Sequence, residues 1–145
     1  MSDVEITQDF LSEISSSISQ LKHLQSLEIF FNQSKDCHIA FKTERSANIQ
    51  DFEKFLNYKN NKSLEAKDLN CDYHGVKYTF NRATPLDDDE KCYSFILISS
   101  NDGSQPKRGM IVIADGSGII VVSTCILDNL RQFNLDVIQA LYPNE

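Results

Sequence analysis

From residue 69 to residue 123 the sequence runs as a series of β-type segments, with amphipathic helical stripes before and after them. This order limits the fold more than any other feature. Apolar and β-branched spacing predicts strands at 69–73, 76–82, 92–99, 109–114 and 118–123, with DGSQPKRG (102–109) and ADGSG (114–118) as turns. Ahead of them, SLEIFF (26–31) reads as a strand, NQSKD as a turn and CHIAFK as its hairpin partner.

Three helices complete the pattern. Thr7 is positioned to cap the first, in which Phe10, Leu11, Ile14, Ile18, Leu21 and Leu24 recur at helical spacing. Ser46 caps a short second helix bearing Ile49, Phe52, Phe55 and Leu56, and YKNNKSLEAKD (58–68) follows as an exposed connection. Ser123 or Thr124 caps the last, whose buried stripe is Ile126, Leu127, Leu130, Phe133, Val137, Ile138 and Leu141, and Pro143 stops it. At 145 residues, with no repeat or low-complexity linker, one domain is expected over 1–145. Its class is α+β: an antiparallel sheet with the N- and C-terminal helices on one face and the middle helix on the other.

Charge and composition exclude several functions. A net charge of −7 argues against nucleic-acid binding and against general attraction to anionic membranes. The acidic run LDDDEK (86–91) reads as a solvated loop. MSDVEITQDF lacks the basic and apolar regions of a signal peptide, so a cytoplasmic location is expected. The cysteines at 37, 71, 92 and 125 form no CxxC pair and are expected to be reduced thiols, several of them in the core. Neither these nor His23, His38 and His74 have ligand spacing, so no metal or other cofactor is expected.

No catalytic set emerges. DGSG (115–118) contains a GxG, but it joins two strands, MIVIA and IIVVS, instead of opening a helix, so it reads as a hairpin turn. Its serine lacks the GxSxG elbow, and paired carboxylates occur only in the acidic loop. The chain is therefore expected not to be an enzyme.

The alternating stretch HGVKYTFNR carries Gly75, Lys77, Thr79 and Arg82 in a Gly-x-Lys-x-Ser/Thr-apolar-x-Arg pattern. With LEIFFNQSKDCHIAF, NIQDFEKFLNY, RGMIVIADGSGIIVVST and ILDNLRQFNLDVIQALY, it makes nearly the whole chain resemble profilin, the small actin-monomer-binding protein family. The resemblance implies a monomeric, non-enzymatic regulator of actin polymerisation. By position it implies actin contacts at Lys77, Thr79 and Arg82, at Lys107, and at Asp128, Arg131 and Asp136. Arg82 shares the inward phase of Val76, Tyr78 and Phe80, so its contact requires a bulge or a strand ending near Asn81.

The sequence also departs from the family. Profilins bind poly-proline on an aromatic platform that includes a hairpin tryptophan; this chain has no tryptophan, and Ile39 stands in its place. Phe10 and Tyr142 are the remaining aromatic candidates and make a poor groove, which argues against poly-proline binding. Phosphoinositide binding, common in the family, is expected to be weak, on a local patch of Lys77, Arg82, Lys107 and Arg108. These departures and the Asn/Lys/Ile/Ser-rich composition point to a divergent member of archaeal type. The order of elements also occurs in roadblock and longin domains, scaffolds for small GTPases and trafficking complexes, an alternative that expects a homodimer.

Overall fold

The computed structural model describes residues 8–32, 38–42, 52–56, 58, 69–73, 76–86, 92–99 and 107–141. The elements are α1 (Gln8–Ile18), β1 (Ser26–Phe31), β2 (His38–Phe41), α2 (Glu53–Leu56), β3 (Cys71–Tyr73), β4 (Val76–Pro85), β5 (Cys92–Ser99), β6 (Arg108–Asp115), β7 (Ile119–Ile126) and α3 (Leu130–Leu141). The strands form one seven-stranded sheet in the order β2-β1-β7-β6-β5-β4-β3. Every neighbouring pair is antiparallel.

The central hairpin explains the layering. Residues 109–114 and 119–125 are buried throughout, so β6 and β7 need cover on both faces. On one face Ile111, Ile113, Val121 and Ile29 pack with Leu11 and Ile18 of α1 and with Leu130, Phe133 and Val137 of α3. On the other, Met110, Val112, Ile120 and Val122 pack with Phe52 and Phe55 around α2, joined by Phe30, Tyr73, Tyr78 and Phe95. The terminal helices thus share one face and the middle helix takes the other, as expected. The DGSG turn is a hairpin connection: Gly118 has φ +106° and its N–H donates to the Asp115 carbonyl at 2.8 Å.

The sheet curls strongly. Four strands separate β1 from β3 in the sheet order, a span of roughly 24 Å if the sheet were flat. Yet the Tyr73 hydroxyl donates to Glu28 Oε1 at 2.6 Å. Glu28 is fully buried in β1, and its Oε2 lies 2.9 Å from His38 Nε2. At the opposite sheet edge, the Gln8 carboxamide pairs with both backbone groups of His38. Its Nε2 donates to the His38 carbonyl and its Oε1 accepts the His38 N–H, both at 2.9 Å.

Some boundaries differ from expectation. α1 ends at Ile18, short of Leu24, and the chain leaves it through tight turns at Leu21 and Leu24. The serines of its last turns bond to carbonyls of the preceding turn (Ser16 to Ser12, Ser17 to Glu13), which competes with helix continuation. Leu24 is buried all the same. Neither Ser123 nor Thr124 caps the last helix. Both are buried in β7, with the Thr124 hydroxyl bonded to Ser26 and that of Ser123 reaching the Ile111 carbonyl. β7 runs on to Ile126, and a 3-10 turn over Leu127–Asn129, without a side-chain cap, leads into α3. Thr7, Ser46, Ile49, Cys37, Tyr142 and the acidic loop at 87–90 lie outside the described residues.

Candidate functional site

The candidate surface begins with β4. Tyr78 is buried, and Val76 and Phe80 are half-buried against the α2 core, while Lys77 and Thr79 are exposed on the opposite face. A strict alternation would turn Arg82 inward after Phe80. Instead, Phe80 pairs with Leu97 and Arg82 with Ile96, which leaves Asn81 as the extra residue of a β-bulge. Ile96 belongs to the core under the terminal helices, and Leu97 to the core under α2. Arg82 therefore emerges, exposed, on the same face as Lys77 and Thr79. Asn70, just ahead of β3, holds the strand here: its Oδ1 accepts the Phe80 N–H at 2.7 Å, and its carbonyl accepts from the Lys54 ammonium.

α3 forms the second side. A side chain at Gly109 would place its Cβ 2.5 Å from Leu130 Cδ1, so this glycine lets the helix lie directly on β6. One turn later Ser94 Oγ on β5 donates to Asn134 Oδ1 at 3.3 Å. These two contacts set the rotation of α3. At 100° per residue, Arg131 falls about 60° beyond Asn134 on the side towards β4, and Leu135, about 160° from buried Val137, falls on the outer crest of the helix. Half-buried Ile98 and buried Ile96 of β5 form the floor between α3 and β4.

The end of this trough is set by the sheet register. Ile98 pairs with Gly109 and Ser99 with Tyr78, so Lys77 and Lys107 flank one end of β5, roughly 10 Å apart across two strand spacings. The Lys107 carbonyl accepts the Leu127 N–H at 2.9 Å, which brings exposed Lys107 beside the start of the 3-10 turn and exposed Asp128. Lys77, Thr79, Arg82, Lys107, Asp128 and Arg131 thus border one surface.

Other candidates lie elsewhere. Asp136 follows Arg131 by five residues, some 140° around the helix, and accepts a hydrogen bond from Gln132 at 2.9 Å. It sits on the flank towards α1, on the side of Ala140, away from β4. Arg108 turns to the α2 face, where its charge and hydrogen bond oppose the upward effect of burial on the Tyr78 phenol. This removes it from any patch with Lys107. Phe10 is half-buried and lines an apolar groove of about 230 Å³ with Ile14, Ile113, Ile119, Ala140 and Leu141. Ile39 packs on the same core.

The remaining reactive groups are sequestered. Cys71, Cys92 and Cys125 are buried thiols outside any disulfide, and burial pushes the Cys125 thiol up to about 12. The Glu28–Tyr73 contact lies within the core. Sequence reasoning did not single out Leu135, Asn70 or this buried pair. Leu135 was detectable as an apolar residue off the stripe of Leu130, Phe133 and Val137, but nothing local signals the other two.

The sequence matches no family model and no curated protein. Two solved structures are similar in fold. One is the complex of LokiProfilin1 with rabbit actin, at 14% identity and a TM-score of 0.57, covering 94% of each chain. The other is LokiProfilin1 alone, at 14% identity and a TM-score of 0.51, covering 91% of this chain and 95% of that one. With its curled sheet, paired terminal helices and opposed middle helix, this chain has a divergent profilin-like fold.

Proposed function

We propose that this protein is a non-enzymatic actin-monomer-binding protein of the profilin type, which regulates actin polymerisation in the cytoplasm. The observation that carries this reading is the register shift after Phe80, which brings Arg82 to the face of Lys77 and Thr79, beside α3. A structural neighbour is a profilin bound to actin, which supports actin as the partner class. The proposed contacts are Lys77, Thr79, Arg82, Lys107, Asp128 and Arg131, with Asp136 an outlier on the far flank of the helix.

The charge distribution fits such a role. In a chain of net charge −7, four cations (Lys77, Arg82, Lys107 and Arg131) border one face. Charges placed in this way set the register and the encounter rate with an acidic partner surface, while neighbouring apolar groups supply affinity. The reading assigns no role to poly-proline, because Phe10 is half-buried and the chain has no tryptophan. Phosphoinositide binding is expected to be weak, since Arg108 faces the other way.

The test is titration of monomeric actin with the wild-type protein and with the Lys77→Glu/Arg82→Glu double variant. The wild type should form a stoichiometric complex and slow spontaneous polymerisation. The variant should bind at least about tenfold more weakly while melting like the wild type, since both side chains are exposed. Unchanged affinity in the variant means that the wrong face has been assigned. Light scattering should give a monomer near 16.5 kDa; a tight dimer favours the roadblock or longin reading.

A further inference from the structure

Among the described residues, one large apolar side chain stands out in solvent: Leu135, at 56% exposure. An isolated exposed leucine is ordinary on a protein surface, so exposure alone assigns nothing. Its position does. Leu135 lies one helical turn beyond Arg131, and the two form a ridge along the outer side of α3, with Arg131 towards β4 and Leu135 on the crest. The rotation that puts it there is fixed on the inner side, where Leu130 rests on Gly109 and Asn134 bonds to Ser94. The apolar residues of the trough floor are recessed, Ile96 to 8% exposure, so a flat partner surface would meet Leu135 before reaching them.

We propose that Leu135 is the apolar anchor of this face. It enters a shallow apolar recess on the actin monomer, and Arg131 beside it meets a carboxylate at the rim of that recess. The inference rests on the actin reading above and adds where the binding energy is concentrated. Interface energy is usually carried by a few well-placed side chains, while surrounding polar and charged groups exclude water and set register. A lone leucine held at a fixed angle on a packed helix also loses little freedom on binding.

The experiment is a titration of monomeric actin with wild type, Leu135→Ala and Leu135→Met, each also melted alone. Leu135→Ala should weaken binding about tenfold, and Leu135→Met should stay within about threefold of wild type because it keeps apolar volume. Neither should lower the melting temperature, since the side chain is exposed and alanine favours the helix. If wild type binds and Leu135→Ala binds equally well, the anchor is overturned and the actin reading stands. If wild type does not bind, the actin reading falls and the anchor falls with it.

Discussion

Replacing Tyr73 by phenylalanine removes one oxygen atom and tests what holds the sheet in its curl. The ring keeps its place against Phe52, with centroids 5.8 Å apart and nearly perpendicular, so apolar packing is conserved. The lost group is the hydroxyl that donates to fully buried Glu28 Oε1 at 2.6 Å. Removing one partner of a buried polar pair costs about 1–3 kcal/mol, so Tyr73→Phe should lose about 2 kcal/mol. For a chain of this length that corresponds to a fall in melting temperature of about 4–8 °C. The loss should also depend on pH. Burial, followed by the neighbouring Glu28, raises the phenol of Tyr73 well above its ordinary value of 10.0. The folded state therefore holds this proton more tightly than the unfolded state. The contribution is complete below about pH 10 and is lost as pH rises beyond it. Urea melts of both proteins should show a constant gap from pH 7 to about pH 10 that narrows above. A gap below about 0.5 kcal/mol, or one unchanged up to pH 11, would refute the argument.

Two further outcomes are expected. Gly109→Val should push Leu130 off β6, destabilise the protein by about 1–3 kcal/mol and weaken capture of monomeric actin, because Arg131 and Leu135 move with the helix; chemical denaturation and actin titration check the two effects. Thiol titration of the native protein should find no rapid reaction at Cys71, Cys92 or Cys125, and unfolding should release all four thiols of the chain.

The strands were the most legible part of the sequence. SLEIFF forms β1 with the expected ends, and the apolar runs of the DGSG hairpin form β6 and β7, because local pattern and burial agree there. Helix ends were less legible. The hydroxyls of Ser123 and Thr124 suit a helix cap as well as a strand, and only the cross-strand partners Ser26 and Ile111 decide between them. In the candidate site, Lys77 and Thr79 follow from alternation alone. Arg82 does not, since its outward position depends on which residue of β5 it faces. The arc that separates Asp136 from Arg131 was calculable from helical spacing, but which flank faces β4 depends on the contacts at Gly109 and Ser94. Nothing in SLEIFF signals that Glu28 is buried, because its hydrogen-bond partner is a tyrosine 45 positions away.

The Gln8 carboxamide acts as a fragment of an eighth strand. An open sheet edge is a template on which another chain can continue the ladder, and proteins protect such edges in various ways. Here the edge strand β2 is only His38–Phe41, and its first residue already has both backbone groups engaged by α1. An incoming strand would find little ladder left to join. The opening residue of a helix thus helps keep the sheet from growing by addition of neighbouring copies.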